Sequence, residues 1–178
     1  MSRIHVLGGA GSGTTTLAAA LAGKLRVPHF DSDDYYWIPT VPPYRIKRDK
    51  AVRDVRLDED LRAFDDWIWS GSAVSWQLDL SRIELVVFLT IPADLRLARL
   101  EKREILEHAA QPGVPPEEQQ AEIREFLEWA RQYDDGGLEV RSRQLHESWL
   151  AQRSCPILRI DGDTTTEERV QQVMDAIG

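Results

Sequence analysis

The chain has 178 residues, with 30 acidic against 22 basic side chains and a formal net charge of −8. That length suits one domain with a proper core, and 42% hydrophobic with 29% charged residues excludes a disordered chain. The acidic balance argues against duplex nucleic acid as a partner, but it leaves room for a local basic pocket around a small anion.

Met1-Ser2-Arg3-Ile4 runs straight into a β-prone segment, with no long apolar leader and no membrane-spanning run, so a cytoplasmic protein is expected. Arg3–Leu7 predicts a first strand ending at Gly8-Gly9. In Thr15–Leu25, Leu17, Leu21 and Leu25 share a helical face with Ala18 and Ala22. Pro28–Asp31 predicts a second strand, and Ser32–Asp49 reads as irregular around Pro39, Pro42 and Pro43. Lys50–Asp66 predicts a charged helix, Trp67–Ser70 a third strand and Leu85–Ile91 a fourth. The fourth is apolar throughout, as a parallel strand buried on both faces requires.

A helix follows Pro92 to about Ala109, and Gln111–Pro116 is a break. Glu117–Tyr133 predicts a helix with Ile123, Phe126, Leu127 and Ala130 on one face, and Asp134–Gly137 a loop. Ser142–Gln152 predicts a helix and Pro156–Ile160 a fifth strand. Thr166–Ile177 closes the chain, with Val170, Val173, Met174 and Ile177 at amphipathic spacing. The single cysteine, Cys155, precedes the fifth strand and reads as a small buried hydrophobe in a reducing compartment. Alternating strands and helices predict an α/β fold, with a parallel sheet covered on both faces.

Gly8-Gly9-Ala10-Gly11-Ser12-Gly13-Thr14-Thr15 lies between a strand and a helix, the context of a Walker A-type loop. Its glycines let successive N–H groups converge on an anion, and the helix adds free donors and its positive dipole end. The backbone from Gly8 to Thr16 is the candidate nucleotide site, and Thr15 sits where a hydroxyl would meet Mg²⁺. The lysine of G-x-x-x-x-G-K-[ST] is replaced by Thr14, which cannot neutralise phosphate charge. Lys24 is no substitute, being more than ~13 Å down the helix.

Asp31 and Asp33 stand at the carboxyl end of the second strand, where a carboxylate can organise metal-bound water or take a hydroxyl proton. Asp-Ser-Asp-Asp is equally a good capping sequence. Arg45, Lys47, Arg48, Lys50, Arg53 and Arg56 form a basic stretch that suits an anionic acceptor or a solvated face, with Arg53 and Arg56 on one helical face. Arg99, Arg103, Arg141 and Arg143 are candidates for the missing lysine charge. The alternative for Arg99 and Arg103 is pairing with Glu101, Glu104 and Glu107. Trp67 and Trp69 read as core, while Tyr35, Tyr36, Trp37 and Trp76 are candidates for a pocket wall. Of the histidines, His5 reads as core and His29, His108 and His146 as surface, without metal-ligand spacing.

In this order the motifs resemble the small P-loop kinases of the adenylate, shikimate and gluconate kinase type, and especially bacterial adenylate kinase-like or topology-modulation-like ATP-binding proteins. The resemblance rests on the loop, Asp31-Ser32-Asp33, the Gly71 turn, and Arg99 with Arg103. It implies a three-layer P-loop NTPase fold with a five-stranded sheet ordered 2-3-1-4-5, an acceptor-binding insertion near 32–66 and a helical lid near 99–143. It also implies ATP with Mg²⁺ as cofactors, Asp31 helping to hold the metal through water, and γ-phosphoryl transfer to a small acceptor. The alternative is a regulatory ATP-binding module that lost its chemistry with the lysine.

Overall fold

The computed structural model describes residues 2–109 and 115–178. The core is a five-stranded parallel sheet of β1 (Arg3–Gly8), β2 (His29–Asp31), β5 (Trp67–Ser70), β6 (Leu85–Thr90) and β7 (Ile157–Asp161), ordered β2-β5-β1-β6-β7. Counting the core strands alone, this is the expected order 2-3-1-4-5. Two further short strands, β3 (Trp37–Ile38) and β4 (Ile46–Lys47), pair antiparallel and shift the labels.

Period-two alternation sends β1 side chains to opposite faces. Ile4 and Val6 pack with Leu17 and Leu21 of α1 (Thr14–Leu25) and Val173 of α7 (Thr166–Ile177). Leu7 packs on the other face with Trp67, Trp69, Phe88, and Leu57 of α3 (Lys50–Ala63). A third cluster, Leu100, Leu127 and Ala130, joins α4 (Ala93–Ala109) to α5 (Pro116–Asp135). With α6 (Arg143–Leu150), these two helices lie between β6 and β7.

Most helix ends follow local chemistry. Asp49 caps α3, Ser142 caps α6 through Leu145 N–H at 3.0 Å, Pro116 opens α5, and Thr165 with Glu168 forms a capping box. The segment expected to be irregular is more ordered than its prolines suggest. It holds α2 (Ser32–Tyr36), capped by Asp31, and the β3–β4 hairpin. A one-turn helix and two-residue strands are too short to leave a periodic signal. Most of the predicted Pro/Gly break, from Gln111 to Val114, lies outside the described residues.

Candidate functional site

The strand-to-helix loop is shaped by what its glycines admit. Gly11 and Gly13 have φ of 84° and 93°, the left-handed region that disfavours a side chain. A Cβ on Gly9 would lie 2.7 Å from Tyr133 Cε1, and one on Gly11 would lie 2.7 Å from the Arg96 carbonyl. Ser12 N–H closes a turn on the Gly9 carbonyl at 3.0 Å. No side chain caps α1, so its first-turn amides stay open to an anion.

Two buried arginines, neither marked by a sequence motif, brace this loop. Arg96 of α4 donates to the Ala10 carbonyl at 3.0 Å, the Ala130 carbonyl at 2.9 Å and Asp134 at 2.6 Å. Arg169 of α7 donates to the Ser12 carbonyl at 2.8 Å and Thr164 Oγ1 at 2.9 Å. Holding two loop carbonyls fixes the backbone and leaves its N–H groups free of those oxygens, which suits an anion nest. Nothing local in the sequence distinguishes Arg96 or Arg169 from solvated helix residues.

The loop, from Gly8 to Thr16 except buried Ser12, lines one end of a cleft of about 1190 Å³. Asp31 and Asp33 line the same cleft. Asp31 caps α2, accepting from Asp33 N–H at 2.9 Å, and it also accepts from Ser70 Oγ at 2.9 Å. Ser70 Oγ in turn lies 2.8 Å from His29 Nε2. The Asp33 carboxyl pKa is raised, first by desolvation and then by Asp31, while Arg141 and Arg103 oppose the rise.

The four arginines separate by environment. Arg99 and Arg103 line the cleft, but Arg99 pairs with Asp163, and Arg103 pairs with Glu104 at 2.8 Å and Glu107 at 3.7 Å. Arg143 is not in the cleft; it borders a much smaller pocket behind the loop, beside Tyr133 and Asp134. Arg141 lines the cleft, lies 5.6 Å over the Trp129 ring, and makes no hydrogen bond or ion pair among the described residues. Its side chain is exposed to the cleft, and desolvation there lowers its pKa against the attraction of Asp33.

Tyr36, Trp37, Tyr44, Trp76 and Trp129 supply aromatic cleft wall, whereas Tyr35 is buried and donates to Asp60 at 2.6 Å. The basic stretch does not act as one patch. Lys47 reaches the cleft, Arg45 pairs with Glu122 at 2.6 Å, and Arg48 donates to the Tyr35 carbonyl at 2.9 Å. Arg53 is buried 3.9 Å over the Trp76 ring, whereas Arg56, three residues on in the same helix, is exposed.

Two histidines expected at the surface are buried. His108 bridges the Glu104 carbonyl at 2.9 Å and Glu122 at 3.1 Å, and His146 lies between Ser72 and Tyr133. Packing of α4, α5 and α6 encloses them and supplies partners, which lone histidines in a sequence do not announce. His5 is core as expected. Among the described residues no three His, Cys, Asp or Glu side chains converge as a metal cage, and no helix is long and apolar enough to cross a membrane.

No protein-family model matches the chain. It is 45% identical over 175 residues to the "Uncharacterized protein YqaC" of Bacillus subtilis (strain 168), covering 97% of this chain and 95% of that one. The chain belongs to the YqaC family. Among solved structures, the shikimate kinase of Bacteroides thetaiotaomicron is similar at TM-score 0.58 and 22% identity, over 99% of this chain and 98% of that one. The Acinetobacter baumannii shikimate kinase in complex with shikimate is similar at 0.55 and 17%, over 99% and 93%. The deoxyadenosine kinase of M. mycoides is similar at 0.51 and 13%, over 98% and 97%. This YqaC-family chain therefore has the fold of the P-loop kinases.

Proposed function

We propose that the protein is a nucleotide-binding phosphotransferase that moves the γ-phosphoryl group of ATP to a hydroxyl of a small acceptor. The observation that carries this reading is the juxtaposition, in one cleft, of an uncapped glycine loop with Asp33 and an unpaired Arg141. The loop amides would hold the nucleotide phosphates. Thr15 and the Asp31 carboxylate are hard oxygen donors on the same cleft, which fits Mg²⁺ held mainly by phosphate and water. Bound there, Mg²⁺ would neutralise phosphate charge.

Asp33 would accept the proton of the acceptor hydroxyl, whose oxygen forms the new bond to phosphorus as the bond to the ADP oxygen breaks. Its raised pKa suits that transfer. Arg141 would supply the charge that Thr14 cannot, because it faces the cleft without an ion pair to break. Arg99 and Arg103 would first have to leave carboxylates.

Calorimetry with ATP and Mg²⁺, then a coupled ADP-release screen over nucleoside monophosphates and small hydroxylated metabolites, tests the proposal. Arg141→Met is expected to lower kcat by ~10²–10³. Absence of nucleotide binding at millimolar ATP overturns the reading. The Thr14 replacement favours a second one, a binding module without turnover. Tight ATP binding with no turnover, and ATPase activity gained by Thr14→Lys, would establish that alternative.

A further inference from the structure

From Ser72 on the cleft, a hydrogen-bonded chain that the phosphotransfer reading above does not use runs into the buried interior. Ser72 follows the Gly71 turn and lines the cleft, with its Oγ 2.8 Å from His146 Nε2. His146 Nδ1 lies 3.0 Å from the Tyr133 hydroxyl. The three are 8%, 0% and 6% exposed for Ser72, His146 and Tyr133. The Tyr133 ring is the one that forbids a Cβ on Gly9, so the chain runs from the glycine loop to the acceptor side.

Counting protons assigns its direction. Burial raises the Tyr133 pKa, so the phenol keeps its proton. Nδ1 is the sole hydrogen-bond partner of that hydroxyl among the described residues. A proton on Nδ1 would leave the Tyr133 O–H orphaned in a dry site, an expensive arrangement. A doubly protonated ring is opposed by burial and by Arg141 and His5, which lower the His146 pKa to about 3. The remaining state pairs each buried donor: Tyr133 O–H donates to Nδ1, and Nε2–H donates to Ser72 Oγ. Ser72 then has a proton of its own with no acceptor among the described residues.

We propose that Ser72 is a ligand-contacting donor, aimed into the cleft by the fixed Tyr133→His146→Ser72 relay, and that it takes an anionic oxygen of the acceptor. The anion follows from Arg141, whose guanidinium has donors enough for an acceptor anion beside the transferred phosphoryl group; it lines the same cleft, is unpaired among the described residues, and acts electrostatically on His146. A carboxylate or phosphate oxygen satisfies both groups. His146 and Tyr133 are positioning residues. The inference rests on the acceptor side of the proposed function, but its first readout does not.

The test is ¹⁵N spectroscopy of the imidazole at pH 7, followed by titration with inorganic phosphate or with acetate, with Mg²⁺ and a non-hydrolysable ATP analogue present. Binding is followed at the Ser72 and His146 resonances. Expected are a bare Nδ1 with a protonated Nε2, a mixture of tautomers in Tyr133→Phe, and about tenfold weaker anion binding at this site in Ser72→Ala. A response to phosphate alone supports a phosphorylated acceptor, and a response to acetate supports a carboxylate. A protonated Nδ1 in the wild type overturns the proposal. So does equal anion affinity in Ser72→Ala, or no response of these resonances to either anion. Failure of the nucleotide analogue to bind counts against the phosphotransfer reading and leaves the tautomer and anion readouts to decide the relay.

Discussion

Acidification from pH 7 to pH 5 should destabilise this protein far more than its surface charge suggests, because two histidines are buried neutral. His5 is fully buried, stacks on Trp69 at 3.8 Å between ring centroids, and bonds the Gly71 carbonyl at 2.9 Å. Its Nδ1 has no partner among the described residues, so a second proton there would be an orphan in the core. Desolvation, the largest cause in both, lowers the His5 pKa to about 4 and that of His146 to about 3.

A folded-state pKa below the unfolded value means that the unfolded chain binds more protons, so stability is present above pH 6.5 and falls as pH drops below it. Between pH 7 and 5 each histidine should cost ~2 kcal/mol, and the pair ~4 kcal/mol, a large share of a typical ~5–15 kcal/mol total. His29, half-buried and with its pKa also lowered, acts in the same direction. Guanidinium titrations at the two pH values, read by tryptophan fluorescence, measure the loss. His146→Gln can still accept from Tyr133 and donate to Ser72, and it should remove about half of the pH dependence. A stability that is flat over this range, or a slope unchanged by His146→Gln, would refute the burial argument.

Gly9→Ala should destabilise by ~1–3 kcal/mol and weaken nucleotide binding in calorimetry, because its Cβ collides with Tyr133 at 2.7 Å. Arg96→Met keeps the apolar stem but strips donors from two carbonyls and leaves Asp134 without its partner. A loss of ~2–4 kcal/mol in denaturant titration is expected. Arg141→Met, by contrast, should leave stability within ~1 kcal/mol of wild type, since that guanidinium makes no ion pair with a described residue. A thermal melt beside the kcat measurement separates the two arginines.

The sheet and the glycine loop were legible in the sequence because both are local signals. The β-prone run Arg3–Leu7, the largely apolar run Leu85–Ile91 and four glycines before a helix with Leu17, Leu21 and Leu25 on one face each carry their own physical meaning within a dozen residues. The sequence likewise brought Asp31 and Asp33 to the carboxyl end of a strand. Only the tertiary structure decided which charges are committed. Arg96, Arg99, Arg103, Arg141, Arg143 and Arg169 are the same residue type on polar stretches. Packing of α4, α5 and α7 around the loop makes Arg96 and Arg169 braces, pairs Arg99 and Arg103, turns Arg143 behind the loop and leaves Arg141 facing the cleft. A histidine 74 residues from Ser72 became its partner for the same reason. Partners for buried polar groups are chosen by proximity in three dimensions, and spacing along the chain carries no record of it.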